Sequence, residues 1–173
     1  MKEEQVTGLR QSDSLISTLT LGVATGLGFG YSPFAPGTIG CLWGLPLTWV
    51  VSRIPGWPTQ VGLILALCFA GIPLCSAAAR RLGKKDPGEI VWDEIASLPI
   101  VFLWLPAPLI SRPEILLIGF VLHRVFDISK LPPVRNVEKL PAGAGIMADD
   151  VVAALYACLV LHGLLWLFPW LSR

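Results

Sequence analysis

Two long stretches of this chain lack charge, and that absence limits the folds open to it. Val61–Ala79 has no charged residue, and a second apolar run opens at Asp149 and Asp150 and continues to Trp170 with His162 as its one strongly polar interruption. A helix needs about 20 apolar residues to cross the hydrocarbon core of a bilayer. Thr38–Ile54 and Leu116–Phe126 with its flanks have similar character, and Ile95–Ile110 shares it but is cut by Pro99, Pro106 and Pro108. Residues 15–30 are weakly apolar and carry Gly22, Gly26 and Gly30 at intervals of four. Such spacing reads as an interfacial or re-entrant helix with a glycine face for close packing. The expected fold class is all-α, a small polytopic membrane helical bundle of four to five spans plus that N-terminal helix. Residues 1–14 read as a polar tail with acids and bases mixed, unlike a signal peptide, and 15–173 as a single domain.

Composition supports the membrane class. Only 14% of residues are charged, against about 25% in soluble domains. A net charge of +1 with no basic stripe argues against a nucleic-acid partner. Cys41, Cys68, Cys75 and Cys158 sit apart in apolar surroundings, which reads as buried thiols without metal spacing. Arg80, Arg81, Lys84 and Lys85 cluster in one loop, and Arg124, Lys130, Arg135 and Lys139 in another, while Arg53, Arg112 and Arg173 are left for the opposite side. With five crossings, the positive-inside rule places the N-terminus in the cytoplasm and the C-terminus outside.

Under that topology four polar segments meet on one face: YSPFAPGTIG (31–40), KDPGEIVWDE (85–94), HRVFDISKLPPVR (123–135) and GAGIMADD (143–150). The opposite loops hold one acid, Glu114. On a helix, Asp86, Glu89 and Asp93 would share a side, as would Arg124, Asp127 and Lys130. Simpler readings compete. One of Asp149 and Asp150 reads as an N-cap at the start of the last helix. Arg124 with Asp127 reads as an intrahelical pair, and Ala35–Thr38 as a turn with a threonine cap. His123 and His162 read as packing or interfacial residues. Taken together, the carboxylates suit a divalent cation such as Mg²⁺, which favours oxygen ligands alongside substrate phosphate. Arg124, Lys130 and Arg135 supply charge for a phosphate, and the helix start at Pro36, Gly37 and Thr38 offers free N–H groups.

In order and spacing, LGFGYSPFAPGTIG, DPGEIVWDE, HRVFDISKLPPVR and GAGIMADDVVA resemble the phosphatidylglycerophosphatase A family from about Gly26 to Ala154. The resemblance implies Mg²⁺-dependent hydrolysis of phosphatidylglycerophosphate to phosphatidylglycerol and inorganic phosphate in the bacterial inner membrane, and the topology above puts the four segments on its cytoplasmic face. Matching positions include Ser32, Pro33, Pro36, Gly37 and Thr38; Asp86, Asp93 and Glu94; Arg124, Asp127, Lys130 and Pro133; and Gly143, Gly145, Asp149 and Asp150. Ser97, Leu131, Ala142, Ala144, Ala148 and Ala154 depart from the family pattern, mostly in place of glycine. On this reading Asp93, Asp127 and Asp149 hold Mg²⁺. Glu94 and Asp150 serve as a fourth ligand or as the base for water. Arg124 and Lys130, with Gly37 and Thr38, bind the phosphoryl oxygens. The chain has no Cys-x5-Arg loop, no DxDxT and no DGxxAR pattern, so metal-activated water is the expected nucleophile and phosphotransfer to an alcohol lacks its signature. The rival from another class is a small membrane transporter or channel component with inner-face carboxylates, whose acids should line a path.

Overall fold

The computed structural model describes residues 16–132, 134–137 and 139–172, so the polar N-terminal tail and Pro133 lie outside it. No strand is present among these residues. Residues 16–24 form α1. It is followed by α2 (Pro36–Cys41), α3 (Gly44–Ser52), α4 (Trp57–Leu82), α5 (Trp92–Ser97), α6 (Ala107–Ile110), α7 (Pro113–Ser129), α8 (Val134–Val137) and α9 (Gly143–Leu167). Prolines stand at the first position of α2 and α7 and the second of α4, where the missing N–H has no helical partner to lose and φ is already set.

The two longest helices, α4 and α9, run antiparallel to one another. The Gly143 N–H that begins α9 donates to Ser76 Oγ late in α4 at 2.9 Å. Helix α7 is antiparallel to α9 as well: Tyr156 Oη donates to Pro132 O just past the end of α7, and Arg112 Nη1 before its start donates to Leu171 O, both at 2.8 Å. Ala153, Ala154 and Ala157 of α9 are fully buried. Their small side chains let the neighbouring helices approach closely. All four cysteines are buried and free.

The span count is smaller than expected. Among the described residues two helices, α4 and α9, are long and apolar enough to cross a membrane. Thr38–Ile54 breaks at Leu42–Trp43 into α2 and α3, and a nine-residue helix such as α3 reaches only about 14 Å. The run from Ile95 to Leu103 is apolar because it is protein core: every residue in it is buried, in α5 and a 3-10 segment, Leu98–Phe102. Helix α7 contains the Leu116–Phe126 run but has 17 residues and carries Glu114, Arg124 and Asp127. The glycine face does not form either. Helix α1 stops before Gly26, where Gly26 and Leu27 take φ of 58° and 59°, and Gly22 has nothing within 4 Å of a Cβ position.

Candidate active site

Helices α2, α5, α7 and α9 bring their polar residues to one end of the bundle, around a cavity of about 300 Å³. Asp86, Asp93, Glu94, Arg124, Asp127, Lys130, Asp149 and Asp150 line it, together with Pro36 and Gly37 from α2. Every catalytic and metal position expected from the sequence is here. Thr38 sits in α2 beside Gly37 and does not line the cavity.

Local structure explains the convergence. Lys130 closes α7 in a left-handed conformation, φ 46°, and its ammonium pairs with Asp149 and stands 3.7 Å from Asp127 Oδ1. Arg124, one turn before Asp127, reaches Glu94 Oε1 at 2.6 Å and Asp127 Oδ2 at 2.9 Å. One guanidinium thus ties α5 to α7, more than the intrahelical pair the sequence suggested. Gly37 is needed beside them, because a Cβ there would overlap Glu94 Oε1 and crowd Arg124 Nη2.

Asp149 and Asp150 are not at the helix start. Helix α9 begins at Gly143 with Ala142 as its cap residue, so the pair lies in the second turn. The N-cap reading fails for both, because only the first turn has unpaired N–H groups. The shared face of Asp86, Glu89 and Asp93 fails too, since residues 84–91 are not helical. There Glu89 pairs with Lys84, while Asp86 reaches the cavity from the loop.

Asp127, Asp149 and Asp150 can each present a carboxylate oxygen with all three within 4.8 Å of one another. Asp93 Oδ1, Glu94 Oε2 and Asp150 Oδ1 are buried without a hydrogen-bond partner. Buried carboxylate oxygens left unpaired are costly, and a hard divalent cation is the group that oxygen donors of this kind fit. Burial, then the charges of Glu94 and Asp149, push the Asp93 carboxyl well above the usual range. Burial raises Glu94 to about 7 against the opposing pull of Arg124. Burial alone would lower Lys130; its contacts with Asp149 and Asp127 outweigh that and hold it above its ordinary value.

One residue packed behind the site escaped the sequence reading. His123, taken as a packing residue, is fully buried with Nε2 3.7 Å from Asp150 Oδ1. Its spacing was the available signal: four residues before Asp127, it shares that helix face.

Comparison with known proteins finds named relatives over most of the chain. The family model for phosphatidylglycerophosphatase A matches residues 22–165. The Escherichia coli K12 phosphatidylglycerophosphatase A is 33% identical over 81% of this chain and 80% of its own. The Haemophilus influenzae protein of the same name is 40% identical over 87% of this chain and 91% of its own. A Bacteroides thetaiotaomicron protein, provisionally named a phosphatidylinositol-3-phosphatase, is 33% identical over 87% of this chain and 96% of its own. No solved structure matches significantly. The family match spans all four helices that build the cavity, and with it the chain belongs to the phosphatidylglycerophosphatase A family, an enzyme family of phosphoric monoester hydrolases.

Proposed function

We propose that this protein hydrolyses phosphatidylglycerophosphate to phosphatidylglycerol and inorganic phosphate, using Mg²⁺ held at the mouth of the bundle. The observation that carries this reading is the trio Asp127, Asp149 and Asp150, with carboxylate oxygens within 4.8 Å, facing Arg124 and Lys130 in one cavity. Asp127, Asp149 and Asp150 would hold the ion, with Asp93 also lining the cavity. A bound Mg²⁺ supplies Lewis-acid polarisation and a more acidic water. Arg124 and Lys130 orient the phosphoryl oxygens and offset the charge that develops on them. Glu94, with a carboxyl titrating at about 7, is suited to accept the proton of the attacking water near neutral pH.

The substrate would reach the site along the bilayer. In the most apolar stretches of α4 and α9 only 28% and 39% of residues are buried, whereas a core helix of a soluble protein is mostly covered. Exposed Leu65 and Phe69 on α4 and Leu155 and Leu159 on α9 continue that surface. We therefore read the protein as embedded in the bacterial inner membrane through these two helices, with the site on the cytoplasmic side where Arg80, Arg81, Lys84 and Lys85 gather. The transporter alternative is not favoured, because the acids collect at one end and line no path.

Phosphate release from purified protein in detergent tests the assignment, with and without Mg²⁺, on phosphatidylglycerophosphate, phosphatidylinositol 3-phosphate and a soluble phosphomonoester. The expected result is Mg²⁺-dependent release fastest from phosphatidylglycerophosphate. Equal rates with EDTA would overturn the metal reading, and a faster rate on phosphatidylinositol 3-phosphate would overturn the substrate.

A further inference from the structure

His123 is fully buried on α7 and lies behind the carboxylates rather than among the residues lining the cavity. Its neighbours define its proton. Ser97 Oγ donates to Glu94 O at 3.3 Å, so toward the 3.2 Å contact with His123 Nε2 the serine oxygen can only accept. On the other side Cys41 Sγ lies 3.8 Å from Nδ1, and a thiol is a better donor than acceptor. Both contacts are satisfied together by one species, the neutral ring with its proton on Nε2. Asp150 Oδ1 stands 3.7 Å from the same nitrogen. Asp150 Oδ1 is buried and has no hydrogen-bond partner.

We propose that His123 is a positioning residue for Asp150: an Nε2–H donor, set in its tautomer by Cys41 and Ser97, that fixes the rotation of the Asp150 carboxylate for cation binding. The 3.7 Å separation exceeds a hydrogen bond, so the interaction is that of an N–H dipole with a carboxylate inside a water-poor site, where such terms are strong. Residues standing behind a metal ligand in this way typically change metal affinity or activity by about 10–100-fold when replaced. This inference rests on the reading that the cavity holds a divalent cation.

The chain has two histidines, so full-length protein labelled with ¹⁵N-histidine in detergent, carrying His162→Gln, leaves a single imidazole to observe. In metal-free protein the ring should be neutral with its proton on Nε2, and its Nε2 resonance should move both on adding Mg²⁺ alone and on Asp150→Asn. A proton on Nδ1, or a resonance indifferent to Asp150→Asn, would overturn the proposal whatever the activity. Kinetics provide a second arm. Gln places its amide nitrogen near the position of Nε2 and Asn near that of Nδ1. His123→Gln should therefore keep the Mg²⁺ concentration for half-maximal rate within about threefold. His123→Asn, still folded, should raise it by about tenfold or more with KM for the lipid unchanged. Equal behaviour of the two folded variants would also overturn it. Absence of phosphate release from the wild type would remove the proposed function while leaving the imidazole spectrum to decide the role of His123.

Discussion

Asp149 and Asp150 occupy the second turn of α9, beyond the unpaired N–H groups of the first turn. Among the described residues the one backbone donor to the pair is the Asp150 N–H, 3.1 Å from Asp149 Oδ1. A buried charge needs more compensation than that, and at Asp149 Lys130 provides part of it. Asn has almost the shape of Asp but no charge, so it separates ligation from packing. Asp149→Asn and Asp150→Asn should each lower phosphate release by on the order of 100-fold, the scale seen when one electrostatic contact to a transition state is lost. Both should raise the Mg²⁺ concentration required and leave the fold intact. Wild-type rates with unchanged Mg²⁺ dependence in both variants would remove these residues from the site.

Helix α9 is aimed by its first residues, and two adjacent positions there should respond in opposite directions. Ala142 is held at φ 51° and ψ −138°, a region nearly exclusive to glycine and worth about 1–3 kcal/mol of strain. Gly143 sits so close to α4 that a Cβ would overlap Ile72 O and press on the Ser76 backbone. Ala142→Gly should therefore raise stability by about 1 kcal/mol, the released strain being partly offset by greater freedom of the unfolded chain. Gly143→Ala should lower it by about 1–3 kcal/mol, the usual cost of overpacking, and tilt α9 away from α4. Thermal unfolding in detergent measures both, and shifts of the same sign would contradict the geometry. The sequence signalled glycine use at this junction but misplaced the helix start, because a glycine-rich segment resembles a loop until α4 is there to clamp it.

For the whole molecule, the concentration of buried carboxylates at one end predicts a stability that depends on both pH and metal. Glu94 keeps its proton up to about pH 7 in the folded protein, whereas an ordinary glutamate releases it near 4.5. Between those values the folded state binds more protons than the unfolded state, so stability falls as pH rises. Asp93, raised by burial and like charge, acts in the same direction. In EDTA the midpoint of thermal unfolding should therefore drop as pH rises from about 4.5 to about 7. Saturating Mg²⁺ should flatten or reverse that slope, since it binds the deprotonated carboxylates of the folded state alone. A midpoint that rises with pH in EDTA would show that the carboxylates are already compensated without a cation.

The sequence by itself determined the all-helical class, the two long apolar helices and which charged residues are available to build a site. Charge is rare enough in this chain that Asp93, Glu94, Arg124, Asp127, Lys130, Asp149 and Asp150 stand out against an apolar background, and the structure gathers them all around one cavity. Only the tertiary structure decided which apolar runs face outward. Ile95–Leu103 is as hydrophobic as a span but wholly buried, and hydropathy measures the preference for leaving water without saying whether lipid or protein receives the side chain. Partnership was likewise beyond the sequence: Arg124 bridges 30 positions to Glu94, and His123 reaches Asp150 through the packing of α7 on α9. Composition and periodicity act along the chain, whereas ion pairs, ligand sets and tautomers depend on distances that exist only after the helices have packed.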